Sequence, residues 1–265
     1  MKVLVTGASG FVGGFISRSL SRHTVMTPTR QELDLMNLDS VNDWFKQNEV
    51  DAVIHCALTG REDLFSTDPV YLSDGLLMFR NLWLNKHHYI NFINLGTAYE
   101  FDLTVDNTLV REDDVIKHLP KTSYGYSKNL IARIIRETYN FYNLRLFGVF
   151  HETEKDIRFF KRVQLQDEVV INNDIKLDYI YLPDIMPMIN YILDGYAQYR
   201  DINMVYPTKY HLSQLAYILC DNLGLSKNKI KIADRSGNNL TGNSFRNNNP
   251  GFNFIGLEQG LRNYK

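Results

Sequence analysis

Residues 3–14, "VLVTGASGFVGG", decide the fold. An apolar run breaks at Gly7. It gives way to Phe11, Val12, Phe15, Ile16 and Leu20, near helical spacing. The stretch therefore predicts a short buried strand, a tight turn and a helix. Gly7, Gly10 and Gly13 stand three apart in the turn. In that setting one glycine allows the turn, one lets a pyrophosphate approach the backbone, and one lets the helix pack on the strand. The start of the helix adds free N–H groups and the positive end of its dipole. Three glycines alone also make an ordinary turn. The strand before them and the helix after them point to dinucleotide binding.

The same alternation continues outward. "TVMTPTR" (24–30), "DAVIHCAL" (51–58) and "YINFINLG" (89–96) predict strands, as does "YNLRLFGVF" (142–150). Between them lie helical patterns at 38–48, with Val41, Trp44 and Phe45 on one side, at about 70–86, and around Tyr124. Residues 178–196 read as a strand running into a helix, with Asp184 as N-cap. Strands alternating with helices imply a parallel sheet with right-handed crossovers. After about Asp201 the pattern loosens. There "LSQLAYILCDNLG" (212–224) predicts an amphipathic helix closed by Gly224. "GNNLTGNSFRNNNPGFN" (237–253) predicts a surface loop.

Composition narrows the function classes. The chain has 265 residues, 44% hydrophobic and 22% charged, with a formal net charge of -1. No bulk field favours nucleic acid or an anionic membrane. Two cysteines, Cys56 and Cys220, are too few for a disulfide framework, so a reduced, cytoplasmic setting is expected. The first apolar run ends too soon for a signal peptide, and no run approaches the ~18 residues of a membrane span. The seven histidines lack metal-ligand spacing, so no metal is expected.

Three further stretches carry chemistry. In "TPTRQELDL" (27–35), no acid occupies 26–30, and Arg30 stands where an acid would exclude NADP. Either Arg30 reads a 2′-phosphate or it is a solvated surface charge; Asp34 and Leu35 follow toward an adenine edge. In "INLGTAYEFD" (93–102), Thr97 ends a strand at the carboxyl edge of the sheet. Thr97 is a capping residue there or a donor to a substrate oxygen. In "KTSYGYSKNL" (121–130), Tyr124 and Lys128 are four apart and share one helix face. A nearby ammonium favours phenolate and lowers a tyrosine pKa. With Thr97, the phenol could reach one carbonyl oxygen.

Together, the TGxxGxxG loop, the threonine after the fourth strand and the YxxxK helix resemble the short-chain dehydrogenase/reductase superfamily. "SYGYSK" and the chain length resemble its extended branch, the NAD(P)-dependent nucleotide-sugar epimerases, dehydratases and reductases. Residues 29–57 most resemble the GDP-L-fucose synthase-like 4-ketoreductases. The resemblance implies an α/β fold: a Rossmann-type doubly wound parallel sheet with a smaller C-terminal α/β part. It places an NADP-binding domain at 1–145, with a return segment near 176–201, and nucleotide-sugar binding at 146–175 and 202–265. It implies that Gly7, Ser9, Gly10, Phe11, Val12 and Gly13 surround the pyrophosphate, with Arg30, Asp34, Leu35 and Ala57 further along the cofactor. It makes Tyr124 the acid/base, Lys128 its partner and holder of the nicotinamide ribose, and Thr97 a donor to the substrate. Tyr99 and Arg158 become substrate-side residues, although Arg158 suits a helix face equally well. Tyr126 is assigned to packing and Ser127 to family background.

Departures from the pattern matter too. Fucose synthases place a cysteine two residues after the catalytic hydroxyl; here it is Tyr99, and His151 is the nearest stand-in for their histidine. Dehydratases place an acidic pair after the threonine; here Ala98 and Tyr99 follow. Gly148 replaces a substrate asparagine. The resemblance therefore implies an NADPH-dependent 4-ketoreductase of a nucleotide-linked 4-keto-6-deoxy sugar. The alternatives are a 4-epimerase with tightly held NAD and a non-catalytic NADP-binding sensor. It also implies a homodimer through helices near 70–86 and 124–140, and a place in polysaccharide biosynthesis.

Overall fold

The computed structural model describes residues 1–58, 65–248 and 251–264. The chain runs β1 (Lys2–Thr6), α1 (Phe11–Ser19), β2 (Thr24–Met26), α2 (Leu38–Gln47), β3 (Ala52–His55), α3 (Pro69–Leu84) and β4 (Asn91–Thr97). It continues through β5 (Asn107–Val110), α4 (Ser123–Glu137), β6 (Phe141–Leu146), β7 (Gly148–Phe150), α5 (Phe159–Leu165), β8 (Val169–Asn173) and β9 (Tyr179–Tyr181). It ends with α6 (Met186–Leu193), β10 (Asp201–Met204), α7 (Leu212–Leu223), β11 (Ile230–Asp234), β12 (Leu240–Gly242) and α8 (Leu257–Asn263). Arg61, a candidate substrate-facing loop residue by sequence, lies outside the described residues. Among those described, no helix is long and apolar enough to cross a membrane.

Six strands form one sheet in the order β10-β6-β4-β3-β1-β2. The pairs β1–β2, β1–β3 and β3–β4 are parallel, with Thr6 opposite His55 and His55 opposite Asn94. This is the doubly wound α/β sheet expected from the alternation. Strand order reverses between β1 and β3, and ligands of such sheets bind outside the strand ends at that point.

The core explains why these segments are helices. Val41, Trp44 and Phe45 of α2, Met78, Phe79 and Leu82 of α3, and Ile131 and Ile135 of α4 pack with Leu4, Val53, Phe92 and Phe141 of the sheet. Burying each such large side chain stabilises by roughly 1.5–3 kcal/mol. Caps fix where the helices begin. Asn37 accepts the amides of Asp39 and Ser40 at the start of α2, Asp68 that of Val70 at α3, and Thr122 that of Gly125 at α4. The helices α3 and α4 approach closely because Gly75 faces Ser127: a Cβ at 75 would lie 2.9 Å from the Ser127 hydroxyl. That contact gives Ser127 a packing role which its sequence context did not suggest.

The chain divides into two compact units, residues 1–102, 113–145 and 189–202 in one and 103–112, 146–188 and 203–265 in the other. Residues 176–188, expected to return to the first part, belong to the second. The second unit holds the pairs β11–β8, β12–β5 and β7–β9, all parallel.

Four local expectations are corrected. Strand "TVMTPTR" shortens to Thr24–Met26. The run at 142–150 is two strands, β6 and β7, which belong to different sheets. Asp184 is not an N-cap: a 3₁₀ turn precedes α6, and the Asp184 carboxylate accepts the Tyr206 hydroxyl and the amides of Ile255 and Gly256. The Asn-rich segment is not a plain surface loop. It contains β12, Thr241 is buried, and buried Asn247 donates to the Val205 carbonyl at 2.8 Å.

Candidate active site

The glycine turn is shaped by contacts that a side chain would destroy. Gly7 has φ +69°, and a Cβ there would come within 2.7 Å of the Ala57 backbone. A Cβ at Gly13 would lie 2.4 Å from the Gly7 carbonyl oxygen. These two glycines draw α1 onto β1 and β3. Gly10 is the N-cap of α1, with no side-chain cap and no acid in the first turn. The start of α1 thus carries no capping side chain and no competing carboxylate, and a helix N-terminus of this kind suits a pyrophosphate. Ser9 is exposed, and Phe11 and Val12 are half-buried at the helix entrance. Ala57 closes the turn from the β3 side, its amide 3.4 Å from Thr6 Oγ1.

The stretch after β2 is mixed. Arg30 is 80% exposed and lies 3.6 Å from the Asp34 carboxylate. Leu35 instead sits in the apolar core, and its carbonyl accepts Asn81 Nδ2 at 2.9 Å. Leu35 can face a cofactor only through its backbone.

Tyr124 and Lys128 line one cleft with His55, Tyr71 and Met78. They share that face because α4 begins at Ser123 and spaces them one turn apart. Thr97, the last residue of β4, starts a single 3₁₀ turn over Ala98–Glu100. Its hydroxyl accepts the Tyr99 amide at 3.3 Å and is hydrogen-bonded to the Tyr124 phenol. The Tyr99 ring meets that of Tyr124 edge-on at 5.9 Å. Gly125 permits this approach, since a Cβ there would lie 2.5 Å from the Tyr99 carbonyl.

Electrostatics revise one expectation. The Tyr124 phenol is held above its ordinary value, by burial first and by the Glu100 carboxylate second. Lys128 donates to the Leu95 carbonyl at 3.2 Å. Burial lowers its pKa, while Glu100 and the Cys56 thiol act in the opposite sense. The expected downward pull of Lys128 does not set the Tyr124 phenol; burial and Glu100 do, and Tyr124 is protonated at neutral pH. Burial also pushes the His55 imidazole down to about 3, with Lys128 acting in the same sense. His55 is neutral and bonded to Thr6 Oγ1 at 2.9 Å. Burial pushes the Cys56 thiol up to about 12, which makes it a poor nucleophile.

Sequence reasoning missed the group beneath Thr97. Arg145 of β6 is fully buried; it donates to Glu100 at 2.6 Å and to Asp201 at 2.9 Å. Asn143 donates to both carboxylates, and Asn94 donates to Asn143. Two signals were available. Thr97-x-x-Glu100 has the spacing of a capping box, and Arg145 stands between Leu144 and Leu146 in a strand-like run.

Three residues lie in the second unit. Arg158 donates to Glu154 at 2.9 Å and to the Val149 carbonyl, at the start of α5. His151 is bonded to Thr153 at 2.9 Å and stacks on Tyr181. Gly148 has no room for an asparagine: a Cβ there would lie 2.6 Å from the Tyr179 ring.

The chain is similar to known proteins. The chain is 21% identical to a GDP-L-colitose synthase from Yersinia pseudotuberculosis over 254 residues, 84% of this chain and 82% of that protein. It is 26% identical to a GDP-L-fucose synthase from Azorhizobium caulinodans over 133 residues, 48% and 42% of the two. A GDP-mannoheptose C4 reductase from Campylobacter jejuni, solved with NADP bound, shares the fold with a TM-score of 0.83 at 17% identity, over 99% of this chain and 96% of that one. The sequence model of the NAD dependent epimerase/dehydratase family matches residues 3–204, and the chain belongs to that family.

Proposed function

We propose that the chain is an NADP-dependent reductase of a nucleotide-linked 4-keto-6-deoxy sugar. The observation that carries this reading is the hydrogen-bonded Thr97–Tyr124 pair, whose phenol is held protonated. Glu100, the carboxylate next to it, is locked onto Arg145 and is not free to abstract a proton. Such a site delivers protons rather than removing them from carbon. That supports ketone reduction over dehydration or 3,5-epimerisation.

Gly7, Ser9, Gly10, Phe11, Val12 and Gly13 would hold the pyrophosphate, with Ala57 beside them. Arg30 and Asp34 would lie at the adenosine ribose, and Lys128 at the nicotinamide ribose. NADPH, when bound, supplies the hydride. Thr97 and Tyr124 both donate to the keto oxygen, and Tyr124 passes its proton to the nascent alkoxide. The second unit is assigned to the nucleotide sugar. The guanosine diphosphate sugars in the relatives' names support GDP as the nucleotide to try first.

The test follows NADPH absorbance with 4-keto-6-deoxy sugars on GDP, CDP, dTDP and UDP. Oxidation of NADPH with one nucleotide, best with GDP, is expected. A changed sugar configuration without net NADPH loss would replace the reductase with the 4-epimerase; binding without either would leave a sensor. With NADPH, Arg30→Ala should raise KM about 10- to 100-fold and leave KM for NADH unchanged, since a charged hydrogen bond is worth ~1.5–3 kcal/mol. Equal effects on both cofactors would return Arg30 to the solvated surface.

A further inference from the structure

Glu100 is the third residue of the 3₁₀ turn Ala98–Glu100 that Thr97 caps, and it has no exposed surface. One carboxylate oxygen accepts the Thr97 amide at 2.9 Å. The other accepts Arg145 Nε at 2.6 Å and Asn143 Nδ2 at 3.0 Å. The Glu100 carbonyl accepts Asn129 Nδ2 at 2.7 Å, from the helix that bears Tyr124. Space for this carboxylate exists because residue 96 lacks a side chain. A Cβ at Gly96 would lie 2.5 Å from Glu100 Oε1 and 2.5 Å from Asn143 Oδ1.

A turn cap alone does not require this arrangement. Burying a carboxylate with an arginine beneath it carries a large desolvation cost, and apolar packing often does as well for stability. The bonds of Glu100 instead converge on Thr97 and on the Tyr124 helix.

We propose that Glu100, anchored by Arg145, is a positioning residue for the Thr97–Tyr124 donor pair, fixing the threonine that bonds the phenol and placing a carboxylate charge beside it. This rests on the reading of that pair as the donors to the keto oxygen. The ionisable groups around the phenol are Glu100 and Tyr99. Those around Glu100 are Arg145 and Asp201, and those around Lys128 are Glu100, Cys56 and His55. A negative charge disfavours phenolate, so Glu100 adds to burial in keeping the donor protonated into alkaline pH. Removing that charge must lower the Tyr124 pKa.

Glu100→Gln tests this, with Asp201→Asn as its partner. Asp201 is in the same network and almost fully buried, bonded to Arg145. Two measurements are made: the pH dependence of kcat, and the tyrosine ¹³Cζ NMR titration, assigned with Tyr124→Phe. Glu100→Gln is expected to lower kcat about tenfold, with KM for sugar and NADPH within about twofold. Its alkaline limb and its Tyr124 titration should both begin about one unit lower. Asp201→Asn should reduce stability and leave both in place. An unmoved titration in Glu100→Gln, or an equal shift in Asp201→Asn, overturns the proposal. If Glu100→Gln does not fold, Glu100→Asp decides. It keeps the charge but withdraws the oxygen from Thr97, so kcat must fall at least about fivefold with the limb in place; unchanged kcat overturns the proposal. The NMR titration needs no substrate. A shifted titration in a protein that reduces no sugar would keep the action of Glu100 and discard the reductase reading. An active parent with an unshifted titration would do the reverse.

Discussion

Tyr124→Phe is expected to lower kcat by about 10²–10⁴-fold, the usual worth of a positioned acid, with little change in the KM for NADPH. The substitution removes one oxygen and keeps the ring. The edge-on contact with Tyr99 at 5.9 Å therefore survives, and so does the packing of α4. What is lost is the phenol bonded to Thr97. In the proposed reaction Thr97 remains as a donor to the keto oxygen, so some binding of the developing charge should persist. Stability should fall by about 1 kcal/mol, the net worth of one hydrogen bond. Single-turnover reduction and thermal unfolding measured side by side check both parts. If the variant keeps more than about a tenth of the parent rate, the donor is another group. Tyr99 is the candidate, because its ring already meets the same site.

The fold was legible where chemistry and periodicity are local. The strand, glycine turn and helix at 3–20 fall within one short stretch, and the turn needs glycine for reasons visible in the sequence. Tyr124 and Lys128 share a helix face by spacing alone, and Thr97 follows from its place at a strand end. Pairings across long separations were not legible. Leu240 pairs with Asn107 and Ile230 with Val169, in short strands without a clear alternating pattern. The Asn-rich segment was misjudged because composition reports polarity, not whether a distant carbonyl awaits the amide; Asn247 finds that of Val205. The direction of the Tyr124 shift was misjudged for the same reason. Lys128 is visible four residues on, whereas the burial and the Glu100 charge that hold the phenol up do not come from its neighbours in the sequence. Arg145 is the clearest case. Within its own strand it is an anomaly, and it makes sense only beside Glu100 and Asp201, 45 and 56 residues away.

Arg145→Met is expected to destabilise the protein by about 3–5 kcal/mol, the usual result of removing one partner from a buried ion pair. Methionine fills much of the guanidinium's volume, so the main loss is electrostatic. Glu100 and Asp201 are left buried without the cation that joins them, and the ring of Phe101 loses the guanidinium 4.9 Å from its centroid. Arg136, 3.9 Å from Asp201, compensates only at that end. The sign of the pH dependence identifies the cause. Burial already raises the Glu100 pKa, and Arg145 is the main group lowering it. Without Arg145 the folded-state pKa rises further above its unfolded value. The folded variant then binds a proton that the unfolded chain releases, and stability increases as pH falls toward the unfolded value near ~4.3. The deficit relative to the parent should therefore be largest near pH 8 and shrink toward pH 5 in urea unfolding. A deficit independent of pH would mean that the arginine acts through packing, because a cavity or a misfitted side chain does not titrate. It would also remove the electrostatic reason for placing a charged residue in the middle of a buried strand.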